Sequence, residues 1–135
     1  MPGQPNFPLL SIDCSPVVQT DVAGIPSSLV IDRAAGMILK TTITVSGGFG
    51  ALFNGKTWTA RFFAESLEPG PNALISSVSG VFAGMPGNVP VTTPVVSGGA
   101  LPADGLYRVS VVITVASAGP TTAFNEGPIV EITTP

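Results

Sequence analysis

The feature that most constrains the fold of this chain is the alternation of apolar and polar side chains in segment 103–115. A period of two residues places neighbouring side chains on opposite faces of an extended chain. The apolar positions are Tyr107, Val109, Val111, Ile113 and Val115, and the polar positions are Arg108, Ser110 and Thr114. Val112 interrupts the polar side, as expected for a strand that is partly covered on its second face. The segment therefore predicts a long β-strand with one face in the core.

Other segments alternate in the same way and are separated by turn residues. The predicted strands span residues 10–14, 17–18, 37–46, 56–65, 74–83, 89–96, 107–115 and 122–133, the last interrupted at Gly127 and Pro128. Segment 28–32 stays open between a strand and a short helical turn, and Asn54 with Gly55 predicts a two-residue hairpin turn. A helical period is sustained nowhere, so the predicted class is all-β.

Two aromatic residues stand at informative positions in this pattern. Tyr107 follows the turn residues Asp104 and Gly105 and precedes the inward-facing Val109 by two residues. This arrangement resembles the tyrosine corner of immunoglobulin-like and fibronectin-III-like sandwiches, with Val109 at the position of the second core cysteine. Trp58, on the strand after 37–46, resembles the core tryptophan of strand C in those domains. An ordinary aromatic residue at a strand start is the alternative interpretation of Tyr107.

The resemblance is to a fold superfamily and not to a functional family. It implies a single antiparallel β-sandwich with Greek-key connections and about seven to nine strands. In that sandwich Tyr107, Asp104, Trp58 and Val109 would be the fold-defining residues. The chain departs from antibody-type domains because its single cysteine, Cys14, cannot form the internal disulfide.

The length of 135 residues fits one domain, predicted to span residues 9–135 after an extended arm, residues 1–8. Pro2, Pro5 and Pro8 exclude a helix in the arm. The first five residues lack the basic region followed by an apolar region that marks a Sec signal. The localisation therefore stays open between the cytoplasm and export by a non-Sec route.

Charge is scarce in this chain. Charged residues make up 10% of the sequence, against about 25% in ordinary soluble domains. The mean hydropathy is +0.52 and the net charge is −3, yet glycine and proline interrupt every apolar run long enough to span a membrane. So little charge gives a monomer poor solubility. We therefore expect another copy or another protein to cover part of the surface, the alternative being a monomer with a Ser/Thr/Gly surface.

The residues needed for common enzyme chemistry are missing. The chain has no histidine, which excludes Ser-His-Asp triads, histidine metal sites and most proton shuttles at neutral pH. The eight carboxylates show no spacing that predicts two facing acids or a calcium loop. Five scattered basic residues provide no footprint for nucleic acid. We therefore expect no enzyme activity, no cofactor, no metal site and no nucleic-acid partner.

Cys14 and Glu126 carry more specific predictions. Cys14 lies on the inward face of its predicted strand and has no histidine to activate it, so it is predicted to be a core residue. Glu126 is an acid in an otherwise apolar strand, beside Gly127 and Pro128. We interpret it as the mark of a β-bulge, with an ion pair to Arg61 or Arg108 as the alternative.

Phe7, Phe49 and Phe53 lie in the arm and in a predicted loop. Exposed, they would contact a partner or stack on a sugar, whereas buried they would close the ends of the sandwich. The leading hypothesis is a non-enzymatic structural protein that self-associates as a homo-oligomer or larger assembly through apolar sandwich surfaces, with the arm docking on a neighbour's sheet edge. The alternative is a binding module for a carbohydrate or a protein that uses loops 47–53 and 84–88.

Overall fold

A computed structural model of the chain describes residues 11–20, 30–32, 35–68, 72–97, 100–101, 103–116 and 122–133. These residues form ten strands and one short 3₁₀ helix, Gly50–Phe53, which confirms the predicted all-β class. The strands are β1 (Ser11–Cys14), β2 (Val18–Thr20), β3 (Val30–Asp32), β4 (Gly36–Ser46), β5 (Thr57–Ser66), β6 (Ala73–Val81), β7 (Gly87–Thr92), β8 (Val96–Ser97), β9 (Gly105–Val115) and β10 (Thr122–Thr133). The predicted arm, residues 1–8, lies outside the described residues.

The strands form two sheets. In the first sheet β4 is central, with β1 and β2 following each other along one edge and β7 and β8 along the other. The second sheet has the order β3-β10-β9-β5-β6. Because β4 and β5 belong to different sheets, as do β6 and β7, the chain repeatedly crosses between the two layers.

One strand pair departs from the purely antiparallel sandwich that we expected. Segment 28–32, left open in the sequence, contains β3, which pairs with β10 in parallel. A parallel neighbour is available here because the chain crosses from the first sheet to the second before β3 and returns for β4. All other described strand pairs are antiparallel.

The two sheets share one apolar core, as the alternation in β4, β5 and β9 requires. Phe62 on β5, Leu39 on β4 and Val109 on β9 are fully buried, and they belong to one cluster with residues of both sheets. Burying such side chains contributes roughly 1.5–3 kcal/mol each before the loss of conformational entropy is counted. The period-two pattern therefore determines which face of each long strand points inward.

The structure places the four residues named from the superfamily resemblance near β5 and β9. The Tyr107 hydroxyl donates a hydrogen bond to the Ala103 carbonyl oxygen at 2.7 Å and accepts one from the Ala103 N–H at 3.2 Å. Tyr107 and Val109 are buried, and Asp104 is exposed in the bend before β9. Trp58 is also buried, and its Nε1 has no hydrogen-bond partner among the described residues.

The Trp58 ring lies over Gly80, its register partner on β6. A Cβ atom at position 80 would lie 2.5 Å from Cζ2 of the indole. Glycine is therefore required there by the close approach of an aromatic ring to the backbone. This contact connects the core of the second sheet to its edge strand β6.

A break in the first sheet meets a bulge in the second. Between β1 and β2, the Val17 N–H donates to the Glu126 carbonyl oxygen at 3.2 Å, and Asn125 Nδ2 donates to the Cys14 carbonyl oxygen at 2.9 Å. The bulge inserts one extra residue in β10 between Glu126 and Ile129, as we interpreted from the acid beside Gly127 and Pro128. We call this contact the edge junction.

Ser15 fills the gap in the first sheet at the same place. Its N–H donates to the Thr42 carbonyl oxygen at 3.0 Å and its hydroxyl accepts from the Thr42 N–H at 2.9 Å. The Thr41 hydroxyl donates to the Ser15 carbonyl oxygen at 2.7 Å. The β4 groups that face the break are thus hydrogen-bonded, as buried backbone groups must be.

Within the described part of the chain, no helix combines the length and the hydrophobicity that crossing a membrane would require.

The edge junction predicts a contrast between two glycine substitutions. In Gly127→Ala the new Cβ would lie 2.6 Å from Val17 Cβ and 2.8 Å from the Val17 carbonyl oxygen. We expect this variant to lose about 1–3 kcal/mol of unfolding free energy, because the two sheets would have to separate locally. Urea unfolding followed by Trp58 fluorescence measures the loss.

Gly48→Ala is the matched control, because nothing lies within 4 Å of a Cβ at that position. We expect its unfolding free energy to stay within about 0.5 kcal/mol of the native value. Equal stability of the two variants would show that the close approach of β10 to Val17 does not support the fold.

Candidate interaction surface

The outer face of the first sheet is mostly polar. In β4 the buried Leu39, Thr41 and Ile43 point inward, and the residues between them, Lys40 and Thr42, point outward. Thr44 is exposed on this face and donates a hydrogen bond to Asn88 Oδ1 of β7 at 2.9 Å. The other outward residues of β4, β1 and β7 include Lys40, Thr42, Ser46, Asp13 and Thr92.

The outer face of the second sheet is much more apolar. Seven exposed large apolar side chains lie on described strands, and six of them belong to the second sheet. Single exposed apolar residues are ordinary, but several on one face indicate an interaction surface. The six are Val30, Leu74, Val81, Leu106, Phe124 and Ile129, whereas the seventh, Val18, lies on the first sheet. We call the outer side of the second sheet the apolar face.

Strand register brings apolar side chains together on this face. Phe124 on β10 lies opposite the half-buried Val112 on β9, and Leu74 on β6 lies opposite the half-buried Phe63 on β5. Opposite pairs on one face of a sheet are close enough to pack. The apolar face therefore contains two apolar pairs on neighbouring strands, one at β9–β10 and one at β5–β6.

Four charged groups of the apolar face have local partners, whereas Glu131 is exposed beside them. Arg108 Nη1 lies 3.7 Å from Glu126 Oε1, so Glu126 takes part in an ion pair as well as in the bulge. Arg61 Nη1 donates to the Thr114 hydroxyl at 3.2 Å, and the buried Ser110 hydroxyl donates to Glu65 Oε1 at 3.4 Å. Exposed ion pairs stabilise a fold little. These contacts instead give the face both signs of charge.

The size of the apolar face fits a protein interface. Four long strands spaced about 4.8 Å apart are roughly 19 Å across, and ten residues at about 3.3 Å each are roughly 33 Å long. The product is roughly 630 Å², to which the three-residue β3 adds little. One partner contributes about 800 Å² to a standard protein–protein interface, so the size of this face is of the same order.

The two predicted binding loops lie against each other at one end of the sandwich. Asn54 Oδ1 accepts a hydrogen bond from the Met85 N–H at 2.8 Å, and Asn54 Nδ2 donates to the Met85 carbonyl oxygen at 3.4 Å. A Cβ at Gly50 would lie 2.8 Å from Pro86 Cβ, so the loops are in contact there as well. Asn54 therefore joins two loops and does not close the predicted hairpin, because β4 and β5 lie in different sheets.

The three phenylalanines proposed as partner contacts differ in their exposure to solvent. Phe53 is only 2% exposed and stacks on Phe82 with ring centroids 5.4 Å apart, so it has no surface to offer a partner. Phe49 is 53% exposed on the same loop, beside Leu52 at 61%. Phe7 lies outside the described residues. Of the three, Phe49 is the one that the described structure exposes to a partner.

Cys14 is buried in the core. Burial, with a smaller contribution from the negative charge of Asp13, raises the pKa of its thiol from 9.0 to about 11. The thiol is therefore protonated at neutral pH and a poor nucleophile. The described residues also contain no group of three or more His, Cys, Asp or Glu side chains that could hold a metal ion.

Sequence reasoning missed the apolar face. The signal was present in part, because Val112 interrupts the polar side of β9. The contributions of Phe124 and Ile129 could not be assigned to the same face, because the bulge between Glu126 and Ile129 changes which residues of β10 point outward.

Comparison of the chain with protein-family models and with curated proteins found no match.

Phe53 and Phe49 form a matched pair for testing the loop structure. We expect Phe53→Ala to lose about 3–5 kcal/mol of unfolding free energy, because it removes a buried ring and leaves a cavity against Phe82. We expect Phe49→Ala to change the unfolding free energy by about 0.5 kcal/mol or less, because the ring is exposed. Chemical denaturation of both variants measures the difference, and similar losses would contradict the assigned burial.

Proposed function

We propose that this chain is a non-enzymatic assembly protein, an immunoglobulin-like sandwich module that self-associates through its apolar face. The observation that carries the proposal is the contrast between its two outer surfaces. One sheet exposes threonine, serine, lysine and asparagine with Val18 as its one large exposed apolar residue on a described strand, whereas the other exposes six such residues, among them Leu74, Phe124 and Ile129. Both sheets would be polar outside in a sandwich that functions alone.

Three features support the assignment to the immunoglobulin-like superfamily. The second sheet has the order β3-β10-β9-β5-β6, in which the hairpin strands β9 and β10 lie beside β5. The Tyr107 hydroxyl bonds back to residue 103 as in a tyrosine corner, and a buried tryptophan lies on β5. The missing cysteine pair is the departure, with Val109 packed where the second cysteine would be.

A second copy of the chain is the partner that the charges favour. The apolar face carries arginine and glutamate close together, as in the Arg108–Glu126 pair. Two copies related by a two-fold axis can place each arginine near a glutamate of the other copy. Aromatic residues and arginine are also enriched in interface cores. The arm, residues 1–8, is proposed as an additional contact with a neighbouring copy.

A second candidate function is supported by the exposed side chains of the end loops. Phe49 and Leu52 project from a loop that is fixed to residues 85–86 by Asn54 and Gly50. A rigid exposed aromatic can stack on a sugar ring or fill a pocket of another protein. This binding module would leave the apolar face unused in solution.

Phe124→Glu tests self-association through the apolar face. Phe124 is 54% exposed, so the substitution preserves the fold while placing a charge on the face. We expect the self-association constant to fall about 30-fold or more, as for an interface residue worth about 2 kcal/mol. Sedimentation velocity over a range of protein concentrations measures it.

Thr44→Glu is the control, because Thr44 is exposed in a strand of the polar sheet. Its self-association should match that of the native chain. A native chain that is monomeric at all concentrations would reject the assembly function, and equal effects of the two variants would reject the apolar face. Loss of binding to a glycan array on Phe49→Ala would favour the loop function instead.

A further inference from the structure

The described strands leave four sheet edges, and three of them carry features that block pairing with another strand. The β1–β2 edge is interrupted by Pro16 and bonded to β10 at the edge junction. The β7–β8 edge contains Pro90, which has no N–H to donate, and is broken before β8. The β3 edge is only three residues long. Short strands, prolines and coverage are the usual protection of sheet edges.

The fourth edge, β6, lacks these features. It is nine residues long, contains no proline and no charged residue, and pairs only with β5 among the described residues. Its bulge lies near one end, at Ile75, which leaves Ser76–Val81 in regular pairing with β5. An uncharged, regular edge of this length is a template for another strand.

The hydrogen bonds of the neighbouring strand β5 show which β6 residues direct their backbone groups outward along the sheet. The Thr57 carbonyl oxygen accepts from the Ala116 N–H at 2.8 Å, so the backbone groups of Thr57 point toward β9 and those of Trp58 point toward β6. In an antiparallel sheet this direction alternates from residue to residue. The partner of Trp58, Gly80, therefore points toward β5. The intervening residues, Ser77, Ser79 and Val81, direct their N–H and C=O groups away from β5.

We propose that β6 pairs antiparallel with β6 of a second copy, centred on Ser79, so that the second sheets of two copies become one continuous sheet. This inference rests on the proposed self-association and specifies a contact for it. In this register Ser79 faces Ser79 of the other copy and Ser77 faces Val81, so all three outward-facing residues exchange hydrogen bonds. The strand has no charge, so no like charges face each other in the symmetric pair.

The second copy fits this edge better than the arm does. Proline at positions 2, 5 and 8 removes an N–H from the arm at every third residue. The strand β6, in contrast, offers an uninterrupted set of donors and acceptors to a copy of itself. Edge pairing also leaves the apolar face uncovered, so both contacts can exist in one assembly.

Ser79→Pro tests the edge pairing with little effect on the sandwich. It removes an N–H that points away from β5, and prolines are tolerated at such positions of edge strands. In the symmetric pair both central donors are lost, and we expect self-association to weaken about tenfold or more.

Thr92→Pro is the matched control on the β7–β8 edge, which Pro90 already blocks. The Thr93 N–H donates to the Leu39 carbonyl oxygen at 2.9 Å, so the neighbouring Thr92 N–H points away from β4. Thr92 is exposed, as Ser79 is. Sedimentation velocity should show native association for Thr92→Pro, and the urea midpoints of both variants report whether they remain folded.

Disulfide formation in Ser79→Cys gives a second readout that does not depend on stability. Facing residues in a hydrogen-bonded pair have Cα atoms about 5.5 Å apart, within the range that a disulfide spans. We expect mild oxidation to convert Ser79→Cys, but not Thr92→Cys, into a covalent dimer. Cys14 does not compete, because it is buried.

The outcomes separate this inference from the proposed function. If the native chain associates while Ser79→Pro and Ser79→Cys behave like their Thr92 controls, the β6 pairing is wrong and self-association stands. If Ser79→Pro weakens association but Ser79→Cys forms no covalent dimer, a different strand occupies the edge and the β6–β6 pairing is also wrong. A native chain that is monomeric at all concentrations overturns both proposals.

Discussion

The structure depends on the contact between the break in one sheet and the bulge in the other. Proline at position 16 and the Gly127-Pro128 pair each interrupt a strand, and either interruption alone would expose backbone groups. At the edge junction they compensate each other, because the Val17 N–H and the Cys14 carbonyl oxygen find partners on β10. The close approach of Gly127 to Val17 allows these bonds to form. One side of the sandwich is thereby closed without a disulfide, which the single cysteine could not provide.

The two sheets differ in how well their edges are protected and in how many apolar side chains they expose. The junction protects the β1–β2 edge, whereas the far edge of the second sheet, β6, has neither charge nor proline. The same sheet carries the exposed Leu106, Phe124 and Ile129. A low charge content is a liability for an isolated domain, but it suits a subunit whose apolar face and sheet edge are covered by other copies. The proposed function thus explains the composition and the asymmetry with a single cause.

The sequence predicted the strands well because alternation directly reports which side chains are buried. Val109, Val111 and Ile113 were assigned to the core on this basis, and the structure buries all three. The pairing partner of each strand was harder to predict. It depends on where the chain crosses from one sheet to the other, and no local sequence pattern encodes these crossings. Asn54 and Gly55 are residue types typical of a hairpin turn, yet the strands before and after them, β4 and β5, lie in different sheets. The strand β3 is too short to show a period.

The apolar face could not be predicted from the sequence, because it depends on the register of β10, which a one-residue bulge shifts. Phe53 and Phe49 are close neighbours with opposite burial, a difference that only the packing against Phe82 determines.

The most direct test of the account is hydroxyl-radical footprinting of the native chain at low and high protein concentration. Phe124 and Leu106 on the apolar face can be compared with Phe49 and Leu52 on the end loop, which are residues of the same types and also exposed. Assembly through the apolar face predicts that oxidation of Phe124 and Leu106 falls as concentration rises, while oxidation of Phe49 and Leu52 stays constant. Constant oxidation of Phe124 and Leu106, or protection of the loop pair alone, would contradict assembly through the apolar face.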